Sequence, residues 1–179
     1  MTRIFALGAV ALLCGTGCFS NARKIAVSAD ADQSTSVQVI GQAEYLTVLP
    51  LDFRYHARID TGATTCSISA LDIERFERDG KKWVRFRLPL PDATSKEKLK
   101  KSDVLEYPLT REVNIKRHGA PDQIRPAVKL NVRLGAFEGR IEFTLTDRTK
   151  YEFPVLVGRN LLDGNAVVDV SQSYVTGGK

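Results

Sequence analysis

Apolar and polar residues alternate along most of this chain with a period of two. "KKWVRFRLPL" places Trp83, Arg85 and Arg87 on one face and Val84, Phe86 and Leu88 on the other, the pattern of a half-buried strand. Asp79-Gly80 just before it suits a tight hairpin turn. "AVKLNVRLG" and "FEGRIEFTLTD" form a second alternating pair, joined through Gly135-Ala136. "EYLTVLP" and "FRYHARID" predict two earlier strands, and "NAVVDVSQSYV" predicts a last one. "EFPVLVG" is instead a continuous apolar run, as expected of a strand buried on both faces.

Helical period is scarce. "RNLLDG" has room for a turn or two before Gly164. "SALDIERFERDG" predicts another short helix, with Ser69 as its cap and Leu71, Ile73 and Phe76 as its apolar side. "PDATSKEKLKKSD" has no apolar period and predicts a mobile loop or flap insertion. No internal repeat is visible. The fold class is therefore all-β, a barrel or a sandwich.

The N-terminus follows different rules. Arg3 precedes "IFALGAVALL", an apolar run of 10 residues, too short for a bilayer span and right for a signal segment. "GTGC" then ends at Cys18, and small residues before a cysteine fit cleavage with lipid attachment there. Gly15 stands where such signals usually carry Leu, and Cys14 is the poorer candidate because bulky Leu13 precedes it. The alternative is plain secretion with cleavage nearby. The expected organisation is a lipoprotein signal over 1–17, a flexible polar tether over 18–36, a domain over 37–175 and a tail over 176–179. Phe19 after Cys18 favours outer-membrane sorting on the periplasmic face of the cell envelope. With Cys18 lipidated, Cys66 is the one remaining thiol of the mature chain, expected as a small buried hydrophobe.

Composition adds modest constraints. The chain has 179 residues, 43% hydrophobic and 26% charged, ordinary values for one globular domain. The formal charge of +5 sits wholly between Glu74 and Arg125, where 14 Lys/Arg face 9 Asp/Glu. Such a face can attract anionic envelope partners, although charge runs are mostly solvated surface. No aromatic-interleaved basic motif points to nucleic acid.

The candidate chemistry lies in "RIDTGATTCSIS". Asp60 follows Ile59 at a strand end, and a carboxylate there must be hydrogen-bonded. Gly62 offers an amide at close approach and unusual dihedrals, Thr61 a hydroxyl to tie the loop, and Ala63 room beside the acid. Asp-x-Gly turns are common, so a second signal matters. "FPVLVGRNLLDG" carries the apolar pair Leu156-Val157 before Gly158, then Arg159, Asn160 and a short helix. His56, four residues before Asp60, reads as a structural strand residue, and His118 as a loop residue. Asp169 reads as a buried hydrogen-bond acceptor, while Asp79, Asp147 and Asp163 precede turns.

The Asp-Thr-Gly-Ala run resembles the active-site loop of aspartic proteases. The later run resembles the ψ-shaped loop of the retroviral type. Together with "WVRFRLPLP", "VNIKRHG", "RPAVKLNVRLG", "FTLTDR" and "VVDVSQSYV", they resemble the bacterial retropepsin-like family often labelled ATP-dependent zinc protease, over nearly all of 37–175. The resemblance implies a small closed β barrel with one or two short helices. It implies Asp60 as the catalytic acid, Thr61, Gly62 and Ala63 as its loop, and Val157, Gly158, Arg159 and Asn160 as ψ-loop support. Neither zinc nor ATP is expected. The two histidines, His56 and His118, form no His-Glu-x-x-His motif, and no Gly-rich Lys-Ser/Thr loop is present. No cofactor and no metal are expected. Retroviral enzymes carry an acid where this chain has Thr64, so Arg159 is expected to lack that partner. The 98 residues from Asp60 to Gly158 exceed the viral spacing, and the excess falls in 89–126, which is expected to replace the flap or block the cleft.

Aspartic catalysis needs two carboxylates sharing one proton. This chain carries one half-site, so the second acid must come from another copy, most simply in a two-fold homodimer. The first functional reading is an exported, membrane-tethered aspartic endopeptidase acting on peptides or proteins. The second is a silent binding module of the same fold, which a strict monomer would favour. A third, linked to ribosomal-protein glutamate ligation, needs a cytosolic chain, and the signal segment argues against it.

Overall fold

The computed structural model describes residues 37–49, 51–91, 100–116, 119 and 121–177. The signal, the tether, the lipidation residue Cys18, His118 and most of the 91–103 insertion lie outside the described residues.

Among the described residues, twelve strands and one short helix follow in order, from β1 (Gln38–Gly41), β2 (Ala43–Leu49), β3 (Phe53–Ile59) and β4 (Cys66–Ser69) through β5 (Leu71–Arg78) and β6 (Lys81–Arg87). Then come β7 (Leu105–Pro108), β8 (Arg111–Ile115), β9 (Gln123–Leu134), β10 (Phe137–Thr146), β11 (Val155–Val157), α1 (Arg159–Leu162) and β12 (Ala166–Asp169). Strands β10, β4, β11, β3, β2 and β9 lie side by side, and the β9–β10 hairpin closes the ring. The result is the six-stranded closed barrel of a retropepsin-like domain. Its inward residues follow the period-two reading. Leu46, Val48, Val128, Leu130, Val132, Phe143 and Leu145 are all essentially inaccessible and form one core with Cys66 and Ile68. Val155 and Val157 of the apolar run are buried where β11 inserts between β3 and β4.

The "SALDIERFERDG" segment is a strand, not a helix. It forms β5 and pairs with β6 across the Asp79-Gly80 turn, whose φ angles of 52° and 68° make it a left-handed hairpin turn. The cross-strand partners decide it: Phe76 faces Trp83, and Glu74 and Glu77 face Arg85 and Lys82, pairs that support a sheet. Asp72, with φ of 54°, absorbs the register shift near Leu71. Ser69, expected as a helix cap, sits in β4 and accepts the Arg148 amide instead.

The described residues of the 89–126 region include regular strands. β7 completes a three-stranded sheet with β5 and β6, and β8 adds to β9 beside the barrel. Among the described residues between Glu74 and Arg125, several bases pair with acids: Arg75 with Glu112, Arg78 with Glu106, Lys101 with Asp72, Arg111 with Glu142 and Lys116 with Asp122. Such exposed pairs stabilise little.

The last strand is shorter than its sequence pattern. β12 stops at Asp169, whose carboxylate accepts the Ser171 hydroxyl, the Gln172 amide group and the Ser171 backbone N–H. These bonds hold the carboxyl below its usual range and turn the chain. β1 and β12 run parallel as a separate two-stranded ribbon. Beyond the turn, the segment to Thr176 folds back on Glu44, a residue the sequence reading did not single out. Glu44 is 1% exposed and accepts the amides of Gly41, Val175 and Thr176 and the Thr176 hydroxyl. Its signal was its phase: it shares the inward side of β2 with Leu46 and Val48.

Candidate active site

β3 delivers Asp60 to the rim of the barrel. Beside it runs β11, parallel and in register from Val155 to Val157. The Asp60 amide donates to the Val157 carbonyl at 2.9 Å, so the acid and the apolar-Gly segment are neighbours in space despite their separation in sequence. The Asp60 carboxylate is half-buried and accepts the amides of Gly62 at 2.9 Å and Ala63 at 3.1 Å. A Cβ at Gly62 would lie 3.2 Å from Asp60 Oδ1. That approach is tight, and the Gly62 backbone is not left-handed, an option its sequence context also allowed.

Gly158 is the second close approach. A Cβ on it would meet the Thr65 carbonyl carbon at 2.8 Å and the Ala63 oxygen at 2.9 Å. The two loops are stitched here backbone to backbone, with Arg159 N donating to Ala63 O and Asn160 N to Thr64 O. Helix α1 is anchored below by Leu161 and Leu162. The Asn160 side chain accepts the Cys66 amide at 2.9 Å and donates to the Glu142 carbonyl at 2.9 Å.

Arg159 lacks an acid partner, as expected, and uses neutral acceptors instead. Its guanidinium donates to the carbonyls of Thr61 and Gly62 and to the Thr64 hydroxyl, at 3.2, 3.0 and 3.0 Å. A planar fork needs acceptors, not a formal charge. The hydroxyl and two carbonyls therefore do what an acid would do at position 64, and the loop is strapped from outside. Arg111 adds a weaker contact at 3.3 Å to the Thr65 hydroxyl while pairing with Glu142. No sequence signal pointed to these two.

Cys66 is fully buried beneath the stitched loops. Gly158 N donates to its sulfur at 3.2 Å, yet burial dominates and pushes the thiol up to about 12. A neutral, inaccessible thiol is a poor nucleophile, which agrees with its reading as a buried hydrophobe. The native protein should leave Cys66 unmodified by a thiol-specific reagent at neutral pH over hours. Reaction should follow unfolding, read as mass increase against denaturant.

The other candidates sit elsewhere. His56 Nδ1 lies 2.9 Å from the Tyr174 hydroxyl, and its ring packs on Tyr45. It fastens the C-terminal segment, as a structural residue would. Asp147 accepts the Thr149 hydroxyl and amide in a local turn, and Asp163 caps α1. Among the described residues, no three His, Cys, Asp or Glu side chains converge as a metal site.

A closed six-stranded barrel, with an Asp-Thr-Gly loop braced by an apolar-Gly-Arg-Asn segment, defines the retropepsin-like class. The family model described as "Retropepsin-like aspartic endopeptidase RimB" matches residues 39–179, and the chain belongs to this RimB-like family. Among solved structures, a Legionella pneumophila protein of unknown function is similar with a TM-score of 0.63 and 28% identity, covering 78% of this chain and 98% of that one. A relative from Shewanella pealeana, named "Probable alpha-L-glutamate ligase", is 32% identical over 123 residues, 69% of this chain and 26% of its own. One of the same name from Parasynechococcus marenigrum is 29% identical over 141 residues, 78% of this chain and 29% of its own. The chain thus spans about a quarter of the length of these curated relatives.

Proposed function

We propose that this protein is an aspartic endopeptidase whose active unit is a homodimer, with Asp60 of each copy supplying half of the catalytic pair. The observation that carries the reading is the Asp60 cradle. One carboxylate oxygen is held by two backbone amides, and the loop is clamped to Gly158 and Arg159. A carboxylate oriented this firmly is arranged for chemistry. Two such groups in contact share one proton, because both cannot ionise together. The ionised member takes a proton from water as that water attacks the scissile carbonyl. The protonated member gives its proton to the carbonyl oxygen, and a tetrahedral diol results. Proton return to the leaving nitrogen then breaks the C–N bond.

A statine-containing inhibitor mimics that diol and should abolish the peptidase activity of the full chain at mildly acidic pH, while a metal chelator leaves the rate unchanged. Undiminished hydrolysis with the inhibitor present would exclude the mechanism. The names of the matched relatives support glutamate-containing peptides as the first substrates to assay.

The reading includes export and attachment through Cys18, supported by the apolar run and the small residues before that cysteine. Cells fed labelled palmitate should label the protein, and Cys18→Ser should remove the label and release the protein from the membrane fraction.

A further inference from the structure

We infer that Ser67 is a specificity-determining residue, its hydroxyl donating to a side-chain oxygen of the peptide, carboxamide or carboxylate; the assignment rests on the peptidase reading of Asp60. Among the described residues, three buried side-chain polar atoms find no hydrogen-bond partner: Arg54 Nη2, Arg85 Nε and Ser67 Oγ. Two of these have another interaction. The Arg54 guanidinium lies 3.8 Å over the Tyr45 ring, and Arg85 Nε is 3.5 Å from a Glu106 carboxylate oxygen. Ser67 has neither, and it is 5% exposed. Thr144, opposite it on β10, turns its hydroxyl to the Cys66 carbonyl at 3.2 Å. A buried hydroxyl left so costs stability, and binding is one use that retains it.

Strand register gives that hydroxyl its place. Cys66 and Ile68 belong to the core, so Ser67 projects from the opposite face of β4, with Thr65 two residues before it. Pairing sets Ser67 between Thr144 and Leu156, and Leu156 beside Arg58 of β3. On the other side the row continues through Ala127 to Arg111. Asp60 extends the β3 ladder by its bond to Val157. It therefore shares a side of the strand with Arg58 and lies about 7 Å further along. The row thus adjoins the acid, within reach of a substrate side chain a few positions from the bond cut.

The chemistry of the row favours an acceptor. Arg58 and Arg111 stand at its ends, and guanidinium groups only donate. Arg58 is exposed and donates to a neutral partner, Gln42, at 3.1 Å. Arg111 reaches Thr65 at 3.3 Å. Leu156, half-buried between the two strands, offers apolar contact to an alkyl stem. A short stem ending in an oxygen matches all of these groups. A leucine side chain would leave the Ser67 hydroxyl unpaired, and sites with a buried polar group reject such analogues strongly.

Peptides carrying Gln, Glu or Leu at each position flanking the cleaved bond test this, with the full chain and with Ser67→Val and Ser67→Ala. Wild type is expected to favour Gln and Glu over Leu at one position by on the order of 10²-fold in kcat/KM, and both variants should lose that preference. The thermal midpoint of Ser67→Val should equal or exceed that of wild type, because a methyl group replaces an unpaired hydroxyl. Calorimetric binding of the same peptides to Asp60→Asn, with and without Ser67→Val, reads the subsite without catalysis. Ser67→Val should weaken the Gln and Glu peptides by about tenfold and leave the Leu peptides unchanged. A preference that survives in both Ser67 variants, or no preference in either hydrolysis or binding, would overturn the subsite and leave the Asp60 mechanism standing. If wild type cleaves none of the peptides, yet Asp60→Asn binds them with a preference that Ser67→Val removes, the peptidase reading falls and the subsite stands.

Discussion

Asp60→Asn is expected to lower peptide hydrolysis by on the order of 10³-fold or more with no change in fold. The asparagine side chain is nearly isosteric, and its carbonyl oxygen still accepts the amides of Gly62 and Ala63 that the carboxylate accepts now. The loop is held independently by Arg159 and by the backbone bonds around Gly158. Thermal unfolding should therefore show wild-type behaviour. What is lost is the proton chemistry, since an amide neither takes a proton from water nor holds one for the substrate oxygen. Rate measurements at mildly acidic pH, paired with a thermal melt, separate these effects. Hydrolysis within tenfold of wild type in the variant would remove Asp60 from the mechanism, and a collapsed melt would recast it as structural.

Glu44→Leu should have the largest effect on stability. Four donors converge on that buried carboxylate, from β1, from the C-terminal segment and from a threonine hydroxyl. Leucine fits the apolar phase of β2 but leaves the three amides and the hydroxyl without their acceptor. Each unsatisfied buried donor costs about 1–3 kcal/mol. Because the end of the chain can peel away and rehydrate, the net loss is expected near 3 kcal/mol, a large share of a small domain's stability. Glu44→Gln keeps one acceptor oxygen and should fall between leucine and wild type. Hydrogen exchange locates the loss: the amides of Val175 and Thr176 should lose protection first, before the barrel strands do. Uniform loss of protection across β9 and β10 would show that Glu44 supports the barrel directly and does not act as a latch for the chain end.

The same reasoning explains where sequence reading reaches and where it stops. Alternation in "KKWVRFRLPL" and "AVKLNVRLG" is a local property of side-chain direction, so those strands were legible. "LDIERFER" carries apolar residues at spacings that a short helix and a bulged strand both accommodate. Only pairing with β6 separates the two, and that is a tertiary fact. β7 and β8 were hidden for a similar reason: four or five residues with mixed polarity become strands because edges are available to pair with. Thr64 illustrates a different limit. Residue type showed that an acid was absent, but not that a hydroxyl and two carbonyls stood within reach of Arg159.

From sequence alone came the β class, the apolar β11 run and the short α1, because side-chain period is written locally, while the Asp60 and Gly158 segments were singled out as a candidate pair by the family resemblance they carry. The tertiary structure alone decided which segments meet. It closed the barrel through β9 and β10, stitched Gly158 to Ala63 and buried Glu44 under the chain end. Contacts between residues far apart in the chain depend on how strands pair and pack, and no local pattern encodes that pairing.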